Sequence, residues 1–149
     1  YKLTVLAKNI GDNKNAQTRF IEIGLPAKPT TRTGKDKTSV IVELPTDRPG
    51  ALLEMLEQFA ARGVNLSRIE SRPVGDQLGR YRFNIDAQGH IDDEAVAEAL
   101  KGLHRFSPNV IFLGSYPRAD KQKSEHLGNN SNKEFATADS WLNKLRSGR

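Results

Sequence analysis

The sequence predicts an α+β domain with the element order β-α-β-β-α-β over residues 37–116. Three observations predict it. Apolar residues alternate with period two in short runs, as they do in strands with one buried face. They recur at helical spacing in two longer runs. Glycine or proline stands where one period gives way to the other.

The elements follow in order. Val40, Val42 and Leu44 alternate with Ile41 and Glu43, which describes a half-buried first strand. Pro45-Thr46-Asp47-Arg48-Pro49-Gly50 is a turn leading directly into a helix. Pro49 suits the start of that helix, because its missing N–H would have no intrahelical partner there. Leu52, Leu56 and Phe59, with Leu53 and Ala60 beside them, are expected to form the buried face. Gly63 is expected to end the helix in the left-handed region. A second strand over residues 64–72 ends at Pro73 and is expected to be central in the sheet. Gly75-Asp76 is a turn signal. Tyr81, Phe83 and Ile85 then alternate with Arg80, Arg82, Asn84 and Asp86, so the two strands should form an antiparallel hairpin. Asp92-Asp93-Glu94 puts negative charge where the next helix begins, which its dipole favours. Val96, Leu100 and Leu103 make its apolar stripe, and a strand over residues 110–114 closes the block.

Two right-handed crossovers in this order give a ferredoxin-like, four-stranded antiparallel sheet with both helices on one face. The other face is left open. A small core with an open sheet face invites pairing with a second copy, so a dimer is expected.

On either side the pattern weakens. Residues 3–7 and 19–24 look like short strands around the turn-rich loop Asn9-Ile10-Gly11-Asp12-Asn13-Lys14-Asn15. Residues 26–35 carry two prolines and no apolar residue larger than alanine, which is the composition of a linker. The expected organisation is therefore residues 1–25 as a separate terminal piece, 26–37 as a linker, 38–117 as the domain and 118–149 as a polar tail. The tail reads as disordered, apart from a helical turn or two over residues 138–145 that would present Trp141, Leu142 and Leu145. Tyr1 is not an initiator methionine and no signal-peptide pattern follows it, so a fragment of something larger is expected.

Composition excludes several function classes. There is no cysteine, so neither disulfides nor thiolate metal sites are available; a cytoplasmic protein is expected. No apolar run approaches the ~20 residues of a membrane helix. A formal charge of +5 raises the question of nucleic acid. The basic residues are scattered, however, and many adjoin acids, as in Asp47-Arg48 and in Arg68, Glu70 and Arg72. His90, His104 and His126 lack metal-ligand spacing and are expected to be surface or loop residues. No Gly-x-Ser-x-Gly elbow, phosphate-binding loop or dinucleotide fingerprint is present. Neither a metal nor an organic cofactor is expected.

What the block offers instead is a binding corner. The turn Asp47-Arg48-Pro49-Gly50-Ala51-Leu52 aims free N–H groups from a helix N-terminus, which attracts an anion such as an amino-acid carboxylate. Small Gly50 and Ala51 allow close approach. The strand Asn65-Leu66-Ser67-Arg68-Ile69-Glu70-Ser71-Arg72-Pro73 is unusually polar for a central position, so it is expected to meet a ligand or another subunit. Together, Gly50-Ala51-Leu52 and Ile69-Glu70-Ser71-Arg72-Pro73, about twenty residues apart, resemble the "GAL" and "ESRP" motifs of the regulatory ACT domain in prephenate dehydratases. Thr18-Arg19-Phe20 resembles the motif that ends the catalytic domain of those enzymes; Gln17 departs from it, since the family usually has a second threonine there.

The resemblance implies an enzyme converting prephenate to phenylpyruvate, carbon dioxide and water in phenylalanine biosynthesis, with this chain as its feedback sensor. It implies that Thr18 assists the departing hydroxyl and that Arg19 holds a carboxylate or braces the site. It further implies L-phenylalanine bound between two ACT domains of a dimer, or of a tetramer in the full enzyme. Gly50, Ala51 and Leu52 of one copy would accept the carboxylate, in an effector site that also includes Asp47 and Pro49. Asn65, Leu66 and Ser67 of the other would meet the amino group, with Val64 and Leu66 around the ring. Glu70, Ser71, Arg72 and Pro73 would act as a latch to the catalytic domain. Without that domain's lobes the chain alone is expected to be inactive. Two rivals remain: an ACT sensor belonging to another enzyme, which the Thr18-Arg19-Phe20 segment disfavours, and an RNA-binding module of the same element order. The latter needs stacking aromatics on the central strands, and Tyr81 and Phe83 find no aromatic partner on the first strand.

Overall fold

A computed structural model describes residues 3–16, 18–75, 80–123 and 130–148. Gln17, Asp76 and His126 therefore lie outside the described residues, as does the 124–129 part of the expected disordered tail.

The elements are β1 (Asp36–Glu43), α1 (Ala51–Ala60), β2 (Leu66–Pro73), β3 (Tyr81–Gln88), α2 (Glu94–Phe106), β4 (Asn109–Pro117) and α3 (Asn132–Arg146). The first six reproduce the expected order. All sheet pairings are antiparallel and the strand order is β2-β3-β1-β4. This overturns one expectation: β2 is an edge strand, and β3 and β1 are central. Its polar residues need no buried partners, because Arg68, Glu70, Ser71 and Arg72 are half-buried or exposed there.

Val40 and Val42 of β1, Phe83, Ile85 and Ala87 of β3, and Ala95, Val96, Ala99 and Leu103 of α2 are all buried in one cluster. From α1 the cluster receives Met55 and Phe59, and Ala51 is buried on the same face. The helix thus turns its i, i+4, i+8 row inward. Leu52 and Leu53, expected on that face, are 41% and 59% exposed. Leu52 and Leu53 lie about 100° and 200° around the helix from that row, and shorter Ala51 and unbranched Met55 fill it instead. Ala60 is exposed as well. Gly63 adopts φ 64° and ends α1, with its N–H donating to the Ala60 carbonyl and the Val64 N–H to the Phe59 carbonyl.

Residues 3–7 and 19–24 form no strands. Leu3, Leu6, Phe20 and Ile23 are between 83% and 95% exposed. Among the described residues no strand pairs with them, and an unpaired strand satisfies neither its backbone nor its apolar face. The tail departs in the other direction. Residues 132–146 form a full helix with a capping box, Ser131 and Glu134 bonding each other's backbone N–H. Its Phe135 packs against the core, while Trp141 is 61% exposed. Among the described residues no helix is long and apolar enough to cross a membrane.

Candidate functional site

The helix-terminus corner is built as a turn around one glycine. Gly50 precedes α1 with φ 85°, a left-handed conformation that favours glycine. Pro49 accordingly stands one residue before the cap and outside the helix. The Ala51 N–H donates to the Arg48 carbonyl and the Glu54 N–H to that of Gly50. The N–H groups of Leu52 and Leu53 have no acceptor among the described residues, so two donors point out of the helix end. Arg48 reaches across the turn to Glu54, at 2.6 and 2.8 Å from its two carboxylate oxygens. Asp47, Pro49 and Gly50 are exposed.

The second candidate segment lies elsewhere. Asn65 is exposed, and its carbonyl accepts the Gln88 N–H at 2.8 Å. Val64 is buried in the core and Leu66 packs against it. Ser67 is the extra residue of a bulge, since Leu66 pairs with Ala87 and Arg68 already with Asp86. Its hydroxyl donates to the Asp86 carbonyl at 3.3 Å. Further along β2, Glu70 pairs with both Arg68 and Arg72 on the open sheet face. The Arg68 guanidinium, with Arg72 beside it, holds the Glu70 carboxyl below its ordinary range. Ser71 and Pro73 are exposed.

Pairing registers fix where these segments stand. Glu43 pairs with Arg82 and Pro73 with Tyr81, so the Gly50 turn, seven residues after Glu43, belongs to that end of the sheet. Leu66 pairs with Ala87, and Ala87 with Thr38, at the opposite end. The ten residues of α1 separate the two, a span of about 15 Å. One chain therefore does not bring its Gly50 turn and its Asn65–Ser67 segment together.

Two polar clusters were not anticipated. On the open face, Asp86 of β3 is 2% exposed and receives the Ser39 hydroxyl of β1 at 2.5 Å and the guanidinium of Arg19. The Tyr116 hydroxyl of β4 lies 2.7 Å from that of Ser39 and 3.5 Å from Arg19. Burial pushes the Asp86 carboxyl up, but bonds from Arg19 and Ser39 and the charges of Arg19 and Lys37 outweigh it and hold it low. The second cluster anchors the linker. His90, expected to be a surface or loop residue, lies in the loop between β3 and α2 and is fully buried. Its Nε2 donates to the Thr30 carbonyl at 2.8 Å, and its Nδ1 accepts the Asp92 N–H at 3.1 Å. Asp36 takes N–H groups of Thr33 and Gly34 at 2.7 and 2.8 Å, and Asp93 lies 2.6 Å from Arg32. Strand alternation puts Asp86 and Ser39 on one face, but only the register makes them neighbours. Thr18 is exposed and makes no side-chain bond among the described residues.

Comparison with known proteins decides what kind of domain this is. The family model described as "ACT domain" matches residues 38–105. Residues 38–105 are an ACT domain. The whole chain is 45% identical to a prephenate dehydratase of Mycolicibacterium gilvum, covering 46% of that protein, and 115 of its residues are 54% identical to one of Mycobacterium avium, covering 36%. The chain thus spans under half the length of the curated relatives it matches. A solved structure of the prephenate dehydratase of Arthrobacter aurescens, in complex with L-Phe, superposes on 82% of this chain and 40% of its own with a TM-score of 0.79 at 56% identity. The ACT domain and both its flanks are thus similar to the corresponding part of these prephenate dehydratases, and the bound L-Phe is a property of the Arthrobacter protein.

Proposed function

We propose that this chain is the regulatory part of a cytoplasmic prephenate dehydratase, in which the ACT domain binds L-phenylalanine and so limits phenylalanine synthesis. The observation that carries the reading is the separation of its two half-sites. The Leu52 and Leu53 N–H groups suit a carboxylate, and the Asn65–Ser67 segment offers amide and hydroxyl oxygens to an ammonium group. They stand at opposite ends of α1, so one ligand can touch both only across two chains.

The free edge of β2 supplies the arrangement. Two copies pairing β2 with β2 about a two-fold axis run antiparallel. The Leu66 end of one then lies beside the Pro73 end of the other, which is the end where the Gly50 turn stands. Edge strands commonly blunt such pairing with charge, but Arg68, Glu70 and Arg72 pair among themselves on one face and leave the backbone edge open. The likeness to a protein solved with L-Phe supports that ligand over other amino acids.

The dehydratase reaction would belong to the whole enzyme. There Thr18 would donate to the departing hydroxyl and Arg19 would hold a carboxylate or brace the site, with Glu70-Ser71-Arg72-Pro73 as the latch to the catalytic domain. This chain alone is expected to form no phenylpyruvate. Calorimetric titration of L-phenylalanine into the purified chain tests the sensor: saturable binding near one site per chain, with tyrosine weaker, is expected. A dimeric chain that takes up no L-phenylalanine would refute it.

A further inference from the structure

The Asp86 cluster lies between the two regions to which the proposed function gives separate tasks. Its carboxylate is buried and accepts from Ser39, so β3 and β1 fix its direction. Tyr116 of β4 completes the rim through its bond to Ser39. Three adjacent strands thus each contribute one polar residue to a socket on the open sheet face. The occupant comes from outside the sheet: Arg19, whose guanidinium pairs with Asp86 and approaches Tyr116. Arg19 immediately follows Thr18, and consecutive Cα atoms stand about 3.8 Å apart. Whatever holds Arg19 therefore limits where Thr18 can be.

The back of the socket touches the effector segment. Asp86 is the residue against which β2 slips its register, pairing with Arg68 while Ser67 bulges out. The Ser67 hydroxyl donates to the backbone carbonyl of that same residue. A bulge is a place where a strand can adjust without breaking the ladder on either side. A ligand ammonium that donates to the Ser67 oxygen leaves the hydroxyl proton on the Asp86 carbonyl, so ligand, bulge and Asp86 join one chain of hydrogen bonds.

We propose that the Asp86–Ser39–Tyr116 socket transmits effector occupancy at the Ser67 bulge to the Thr18-Arg19 segment. Asp86 is then a positioning residue acting through Arg19. The proposal rests on L-phenylalanine binding at Asn65–Ser67. Coupling of this kind is reciprocal: if the ligand changes the holding of Arg19 by some factor, loss of Arg19 changes ligand affinity by that factor.

Limited trypsin digestion of the purified chain reads the holding of Arg19 directly, since a guanidinium bound to Asp86 is withheld from the protease. Lys8 and Lys14, exposed in the same segment, are the internal standards. L-Phenylalanine is expected to change cleavage after Arg19 several-fold and leave cleavage after Lys8 and Lys14 unchanged. Asp86→Asn should raise cleavage after Arg19 and make it indifferent to L-phenylalanine. Should Asp86→Asn fail to fold, Arg19→Gln removes the exposed partner and should shift the L-phenylalanine Kd by the same several-fold factor. Saturable L-phenylalanine binding with unchanged Arg19 cleavage, and an unchanged Kd in Arg19→Gln, would overturn the socket proposal alone. Absence of L-phenylalanine binding by calorimetry would overturn the effector reading beneath it.

Discussion

If each effector site is assembled from two chains, two crippled variants should repair one another. Leu53→Asp places a carboxylate in the first turn of α1, at a position 59% exposed. The helix tolerates it, because its dipole favours an acid there, but the ligand carboxylate meets a like charge. Asn65→Lys puts a cation beside the expected position of the ligand ammonium, on a residue that is also exposed. Exposed substitutions of this kind alter stability by only about 0.5 kcal/mol. A like charge at about 4 Å costs roughly 1 kcal/mol in water and roughly 4 in a partly shielded site. Each variant alone should therefore bind L-phenylalanine roughly five-fold to several hundred-fold more weakly. Both variants avoid Gly50, where any side chain would have to adopt φ 85° and would confound binding with strain. Unfolded together in equal amounts and refolded, about half the dimers are mixed, and each mixed dimer carries one site with neither substitution and one with both. About one quarter of the wild-type number of intact sites should then return, measured by titration calorimetry at ligand concentrations that leave either variant alone silent. Two results would refute the reasoning: wild-type affinity in either single variant, or no recovered sites in a mixture whose mixed dimers are demonstrated by mass.

Three further outcomes test the fold beneath the site. Met55→Ala, at a position with no exposed surface, should lower stability by about 2–5 kcal/mol in urea unfolding, because the cavity closes only in part. Gly89→Ala should lower the thermal midpoint, since φ is 112° and the added carbon would come within 2.9 Å of Val96 and 3.0 Å of Asp93; a cost of about 1–3 kcal/mol is expected. Acid should unfold the chain through Asp36 and Asp86. Burial raises both carboxyls, but Thr33 and Gly34 bonds at Asp36 and the Arg19 and Ser39 bonds at Asp86 leave them below the ordinary value. Their contribution is complete above about pH 3.9 and is lost as pH falls through the lower folded values. Asp36→Asn should give a stability curve that declines less steeply below that pH, followed by urea midpoints at successive pH values.

Element type was readable because it is written in local period. Tyr81, Phe83 and Ile85 can alternate only as a strand, and Val96, Leu100 and Leu103 recur only on a helix. What local period does not contain is neighbourhood. Nothing in residues 64–73 distinguishes an edge strand from a central one, and that single unknown turned exposed polar groups into apparently buried ones. The inward row of α1 failed for a related reason. Leu52 and Leu53 are the larger apolar residues, but the contact with β1, β3 and α2 selects Ala51, Met55 and Phe59 by direction. Leu3, Val5, Phe20 and Ile21 carry a strand pattern that finds no strand partner among the described residues, and pattern without partner is not structure. Gly50, Asn65 and Ser67 could be proposed as site residues from the sequence, and only the register shows that they stand at opposite ends of the sheet. Asp86 and His90 were invisible as a pair of anchors because each depends on a residue more than forty positions away, Ser39 and Thr30 respectively.

That distance between half-sites also determines what kind of regulation is available on the proposed reading. A ligand shifts an equilibrium only by the difference between its affinities for the two states. An unpaired chain offers either a carboxylate site or an ammonium site at a given point on its surface, each open to water and worth little. A paired arrangement offers both within reach of one amino acid. L-Phenylalanine would therefore bind pairing and favour it, and the chain would respond to the ligand as an assembly rather than by closing a pocket of its own. The fixed element is then the β2 edge, and the movable ones are those attached to it at its ends: the Ser67 bulge with Asp86 behind it, and the Arg19 that Asp86 holds.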